Sequence, residues 1–308
     1  CCRTGSRDAD DATNPVAMTA TLAARCEGSP YNAGIGVRVE SIEPERVRVR
    51  IPYADENSNP GRALHGGVVA SIINIAGALV AVTTSQPNDH SELGTLDLSV
   101  NYLAAAIGED IVAEADVLRR GKEIVYSDVG VRNDAGKWIA KGLVTFRALA
   151  AAPRHTDRQL HTSADVGMSA REVPQMVRML EATPFMARLG MSIVHMHGGH
   201  ARVEMPFKPA NADDGEAVHE GALAALIDTT GAMAAWSIVG LDFRYKASTV
   251  GIHVNYHAPA IKEDVVAQAR TLRRNNEIFL NQVTVSGCQS GRLVAAGSVT
   301  YRIVVPAG

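Results

Sequence analysis

The chain repeats itself once, at a constant distance of 154 residues. His65, Asn74, Asn101, Arg119 and Glu123 recur as His219, Asp228, Asn255, Arg273 and Glu277, each 154 positions later. Ile51-Pro52 is matched by Met205-Pro206, Gly77 by Gly231, Val100-Asn101-Tyr102 by Val254-Asn255-Tyr256, and Leu118-Arg119-Arg120 by Leu272-Arg273-Arg274. A period this long exceeds the ~20–50 residues of solenoid repeats, and two copies fall short of the three that such arrays need. The period is that of an ordinary domain, used twice.

Each copy carries the same order of local patterns. Gly36 to Ile51 alternates apolar and charged residues around Pro44, which predicts a half-exposed hairpin. A loop follows from Ala54 to Leu64, with turn residues Asn57, Asn59, Pro60 and Gly61. Val68 to Val82 is apolar nearly all round and too short to cross a bilayer, so it predicts an enclosed helix rather than a membrane span. Strands are expected at Thr95–Leu103, Asp110–Arg120, Ile124–Asn133 and Trp138–Leu149, the last two joined by a turn at Asp134-Ala135-Gly136. Short turns between consecutive strands favour an antiparallel sheet, and a curved sheet wrapped round one helix would enclose that helix. The expected class is α+β. Residues 1–18 are expected to be a disordered tail, 19–150 the first domain, 151–172 a polar, aperiodic linker, and 173–308 the second domain.

With 46% hydrophobic residues and a net charge of −3, the chain lacks the basic excess of a nucleic-acid or anionic-membrane binder. Its cysteines, Cys1, Cys2, Cys26 and Cys288, form no C-x-x-C pair and imply neither a zinc site nor a disulfide framework, which suits a reducing cytoplasm. His195, His197 and His200 surround Gly198-Gly199 and are expected to flank a turn, with no metal bound. No apolar segment of a signal peptide is visible before Met18, a plausible natural start.

The run Asn59-Pro-Gly-Arg-Ala-Leu-His65-Gly66-Gly67, with Asn74 nine residues after the histidine and Thr95-Leu-Asp-Leu-Ser-Val-Asn-Tyr102 beyond it, resembles the hotdog-fold acyl-CoA thioesterases of the phenylacetyl-CoA and 4-hydroxybenzoyl-CoA type. Asp228 and Thr249-Val-Gly-Ile-His-Val-Asn-Tyr256 supply the matching second half. The resemblance covers about residues 19–150 and 173–305. It implies two tandem hotdog domains, each an antiparallel sheet wrapped around one long central helix, paired within the chain as a pseudo-dimer. It further implies hydrolysis of an acyl-CoA to free acid and CoA, with no cofactor besides the CoA of the substrate. The glycine N–H at the helix start would polarise the thioester carbonyl, and an acidic residue nine positions after the histidine would act as base or nucleophile. An Asn before the histidine and a Ser or Thr on the next strand would assist.

The physical chemistry of those roles can be stated for these residues. A thioester carbonyl gains negative charge at the transition state, and a helix N-terminus at Gly66-Gly67 offers fixed donors in a positive field. Asp228 can deliver water or attack directly, and Asn74 cannot. Eight residues of helix separate Glu220 from Asp228, about 12 Å at 1.5 Å per residue, too far for both to meet one carbonyl. Two copies related by an approximate two-fold axis would instead place the start of one helix beside the middle of the other. The expected competent site therefore combines Asn59, His65, Gly66 and Gly67 with Asp228 and Thr249. The other combines Asp213, His219, Glu220 and Gly221 with Asn74 and Thr95, lacks the helix carboxylate, and is expected to be degenerate.

His65 and His219 are expected to fix the helix starts through backbone hydrogen bonds rather than to transfer protons. Asn59 could serve its turn alone, and Thr95 and Thr249 could be ordinary strand residues. Arg119, Arg120, Lys122, Arg273 and Arg274 lie at strand ends where the resemblance implies contacts with the phosphates of CoA, or else are solvated charges. Two readings compete with hydrolysis: a non-catalytic acyl-CoA-binding protein, which one degenerate site makes conceivable, and a hotdog hydratase or dehydratase. Against the latter, Asn59-Pro60 is followed by a histidine at 65 rather than two residues on. Association of double-domain chains into homo-oligomers is a further expectation.

Overall fold

A computed structural model describes residues 15–84, 93–148, 175–214, 216–242 and 244–305. The first copy contributes helices α1 (Pro15–Gly28) and α2 (Pro30–Ile35), strands β1 (Arg38–Glu43) and β2 (Arg46–Ile51), the long helix α3 (Gly66–Thr83), and strands β3 (Leu93–Tyr102), β4 (Ile111–Arg120), β5 (Ile124–Arg132) and β6 (Trp138–Ala148). The second repeats the order with α4 (Gln175–Glu181), α5 (Pro184–Leu189), β7 (Ser192–His197), β8 (His200–Met205), α6 (Glu220–Val239), β9 (Lys246–Tyr256), β10 (Val265–Asn275), β11 (Ile278–Gly287) and β12 (Leu293–Val304). One expected boundary is corrected. Residues 15–18, assigned to a tail, open α1, whose first residue is a proline with its φ already set for a helix. The expected linker, 151–172, lies outside the described residues.

Alternation along the strands sets which face each residue takes. In β2, Val47, Val49 and Ile51 are wholly buried under α3, while Arg46, Arg48 and Arg50 point outward. There Arg46 pairs with Asp116 at 2.6 Å, and Arg48 with Glu40 and Glu114. Such exposed pairs contribute little each, and the burial of the valines decides the register. His197 and His200 flank a two-glycine turn in which Gly198 and Gly199 both have positive φ.

The two copies form one antiparallel sheet of twelve strands, in the order β1-β2-β4-β5-β6-β3-β9-β12-β11-β10-β8-β7. Its centre is the β3–β9 pair, where Ser99 faces His253 across the seam. These two residues are equivalent in the repeat, so the pseudo-two-fold axis passes between them. On the outer face Ser99 Oγ and His253 Nδ1 are 2.7 Å apart, and Asn255 Nδ2 donates to Asp97 at 3.0 Å, which ties the halves together.

α3 and α6 lie beneath this sheet as an intrachain pair. By length and composition both would pass for bilayer-spanning helices, but 78% and 83% of their apolar windows are buried inside the protein. Glycines let the helices approach each other and the sheet. A Cβ on Gly67 would stand 2.3 Å from Ala225 Cβ, and one on Gly221 would stand 2.6 Å from Ser71 Oγ. Position 67 of one helix thus abuts 225 of the other, and 71 abuts 221, which is an antiparallel crossing near both N-termini.

Candidate active site

The crossing carries the start of α3 to the middle of α6. A Cβ added to Gly66 would lie 2.6 Å from Asp228 Oδ2, so the carboxylate rests directly against the glycine. The other oxygen, Oδ1, accepts a 2.6 Å hydrogen bond from Thr249 Oγ1 on β9. Asp228 is only 4% exposed, and burial raises its pKa from 3.8 to about 6, opposed in part by the Thr249 bond. Gly66, His65, Asn59, Asp228 and Thr249 all line one cleft of about 620 Å³ between the two halves. The structure therefore brings together the five residues that the sequence places on two separate domains.

The helix start is held by its neighbours. His65 Nδ1 accepts from the Gly67 N–H at 2.9 Å as the N-cap, and burial lowers the imidazole pKa to about 4, so the ring is neutral and its acceptor nitrogen is occupied. Tyr102 Oη donates to the Gly66 carbonyl at 2.9 Å, and the Phe185 ring lies 4.6 Å from the His65 ring. Gly67, expected among the substrate contacts, gives its N–H to His65 and packs its Cα against Ala225, and the adjacent Gly66 N–H is the donor left at the helix start for a carbonyl.

The opposite crossing pairs Glu220 with Asn74 and Thr95. Glu220 Oε2 accepts from Asn74 Nδ2 at 3.0 Å and from Thr95 Oγ1 at 2.7 Å, and Oε1 accepts from the Thr95 backbone N–H at 2.9 Å. The side chain of Glu220 thus fills the space that is open beside Gly66 in the other site, its carboxylate satisfied by protein donors. His219 caps α6 through Gly221 at 3.0 Å and stacks on Tyr31, the equivalent of Phe185, while Asp213 accepts from the Ala217 N–H and secures its loop. Asn74→Ala is expected to leave turnover intact while destabilising the fold by about 1–3 kcal/mol, the cost of a lost partner in a buried network. Urea denaturation alongside a thiol-release assay measures both.

The basic residues are placed elsewhere. Arg119, Arg120 and Lys122 lie exposed at the end of β4, and Arg273 and Arg274 at the end of β10, where Arg274 covers the Phe279 ring. None of them lines the cleft. The side chains that do line it include several beyond the expected site residues: Thr183 before α5 and Met186 within it, Tyr102, and Thr229, Trp236, Tyr245 and Tyr301. A signal for one of them was present in the period, since Tyr102 belongs to the repeated Val-Asn-Tyr; Phe185, which packs on His65, likewise stands 154 residues after Tyr31. α2 and α5 each reach across to the other half: the Tyr31 N–H donates to Ala212 O in the second half's loop at 3.2 Å, and Arg188 of α5 donates to Gly34 O of α2.

Residues 215–286, which include Asp228 and Thr249, match the thioesterase superfamily, and residues 18–147 match a domain of unknown function, DUF4442. A protein of Saccharolobus solfataricus named as an esterase is 33% identical over 109 residues, 35% of this chain and 76% of that protein. The chain belongs to the thioesterase superfamily. Acyl-coenzyme A thioesterase 13 of Homo sapiens is 30% identical over 108 residues, 34% of this thioesterase and 75% of the human chain. A crystal structure with a hot dog fold from Alicyclobacillus acidocaldarius superposes with a TM-score of 0.61 at 18% identity, covering 87% of this chain and 96% of that one. Both halves are therefore hotdog domains, in tandem.

Proposed function

We propose that the protein hydrolyses acyl-CoA thioesters at one site per chain, with the α3 start of the first domain and Asp228 of the second acting on the same carbonyl. The observation that carries this reading is the contact of a buried carboxylate, its pKa raised to about 6, with the glycine at a helix N-terminus. The Gly66 N–H and the field of α3 stabilise the oxyanion, and the small glycine lets the thioester approach the backbone. Asp228, ionised above pH 6, takes the proton of a water that attacks the carbonyl carbon, or attacks it directly to form an anhydride that water then cleaves to the free acid; on either route the thiolate of CoA departs. Thr249 holds the carboxylate in place. A single turnover in 18O-labelled water tests for direct attack: label in Asp228 requires an anhydride cleaved at the aspartyl carbonyl, whereas the general-base route places label only in the released acid.

The human relative acts by name on acyl-coenzyme A, which supports CoA as the leaving group. The motif spacing resembles that of the phenylacetyl-CoA and 4-hydroxybenzoyl-CoA type. Trp236 and Tyr245, stacked 6.2 Å apart in the cleft, support a chamber that accepts an aromatic acyl group as well as a chain. A panel of acyl-CoAs with a thiol reagent tests the proposal: release of CoA is the expected result, and binding without release from any of them would overturn it in favour of an acyl-CoA-binding protein.

Thr249→Val is expected to remove the bond that favours the charged carboxylate. The acid limb of the kcat/KM profile, expected to rise through about pH 6 in the wild type, should then move to higher pH while the plateau falls. An acid limb that stays where it was would show that Asp228 is not the group titrating.

A further inference from the structure

The stripe of α6 that faces the cleft runs through Thr229, Ala232, Met233 and Trp236, the spacing of one helix face. Thr229 is 4% exposed, and its hydroxyl has no hydrogen-bond partner among the described residues. The other hydroxyls in the two central helices are all used. Thr230 donates to Leu226 O at 2.6 Å, Ser237 to Ala234 O at 2.7 Å, Ser71 to Gly67 O at 2.7 Å and Thr83 to Val80 O at 2.7 Å. An orphaned buried hydroxyl costs free energy unless something else pairs with it.

The fold itself does not ask for this group. The equivalent position in the first repeat is Ile75, wholly aliphatic and 5% exposed, in the same helix under the same kind of sheet. The hydroxyl stands only in the copy whose helix carries Asp228, one residue further along and about 1.5 Å down the axis from it. A donor at that place lies beside the first carbons of an acyl group whose carbonyl sits between Gly66 and Asp228.

We propose that Thr229 is a specificity residue whose hydroxyl donates to an oxygen on the acyl group near its third carbon, so that the preferred substrates are 3-hydroxyacyl or 3-oxoacyl thioesters rather than saturated ones. This rests on the acyl-CoA hydrolysis proposed above and names the acyl class of the same cleft. A saturated chain leaves the hydroxyl unpaired, and a site built to bond a polar group discriminates against an analogue that lacks it.

The test compares kcat/KM for hexanoyl-CoA and 3-hydroxyhexanoyl-CoA in the wild type, Thr229→Val and Thr229→Ser. The expected result is a preference of about tenfold for the hydroxylated ester in the wild type, the scale of one buried hydrogen bond. Thr229→Val should bring that ratio close to one, and Thr229→Ser should keep it. A wild-type ratio of one or less overturns the inference, as does a ratio that survives in Thr229→Val. An equal fall on both esters in Thr229→Val overturns it too, since the hydroxyl would then serve the attacking water. Hydrolysis without preference leaves the proposed activity standing, whereas no hydrolysis of any acyl-CoA removes both.

Discussion

Asp228→Asn is expected to lower turnover by 10²- to 10⁴-fold and at the same time to raise the melting temperature. The loss follows from the role of the group: an amide can neither take a proton from water nor attack a carbonyl, and a positioned base contributes roughly that factor. The gain follows from burial. The folded protein holds a proton on Asp228 up to about pH 6, whereas the unfolded chain loses it near 3.8. Stability therefore falls as pH rises through that window, and the full cost, about 3 kcal/mol, is present at neutral pH. The asparagine removes this cost while keeping the local bonding, because its Oδ1 can accept from Thr249 Oγ1 as the carboxylate does, and in the other copy an asparagine already holds its Oδ1 2.9 Å from the threonine Oγ1 of the next strand. Calorimetry at pH 7.5 and pH 5 checks the sign: the variant's advantage should be larger at the higher pH. A variant that hydrolyses acyl-CoA at the wild-type rate would remove Asp228 from the mechanism.

Gly66→Ala is expected to cost at least about 10²-fold in kcat/KM with only a modest loss of stability. The added methyl carbon would sit 2.6 Å from Asp228 Oδ2, 3.4 Å from its Cγ and 3.6 Å from Tyr102 Oη. No Cβ tolerates the first of these contacts, so the carboxylate must swing away from Thr249 or the start of α3 must withdraw. A displacement of about 1 Å between reacting groups is enough for a loss of that size. The fold survives because Gly66 is part-exposed at the edge of the cleft, while the close helix contact is made by Gly67. The second copy shows what a longer side chain does there: Glu220 turns across to Thr95 and Asn74 and fills the space. Steady-state kinetics with denaturation curves separates the two effects, and a Gly66→Ala enzyme with unchanged kcat/KM would show that the carbonyl does not bind at this helix start.

Much of the architecture was legible in the residues because burial leaves a periodic trace. Val47, Val49 and Ile51 alternate with arginines, so β2 could be placed, and α3 could be placed because Val68 to Val82 has no wet face. The predicted strands agree with β3 to β6 to within two residues at either end. The candidate site was legible only as far as residue type reports chemistry. A carboxylate in an apolar run marks Asp228, but nothing in the local pattern marks Thr229, whose neighbour Thr230 has the same composition around it and spends its hydroxyl on the helix backbone. The arginines at 119, 120, 273 and 274 resemble phosphate contacts in sequence and lie at the outer ends of β4 and β10, because a charge pattern says that a group is exposed and not which cleft it borders.

By itself the sequence determined that there are two equivalent domains, where their elements run, and that one copy holds an acid where the other holds an amide. Periodicity, turn residues and side-chain chemistry are local properties, and each is written within a few tens of residues. Only the tertiary structure decided that α2 and α5 each reach across to the other half and that Glu220 occupies the second site. It also decided that Gly66 and Asp228 touch. The physical reason is the antiparallel crossing of α3 and α6 about an axis that passes between Ser99 and His253: contacts between residues more than a hundred positions apart are made by packing, and packing depends on the whole sheet.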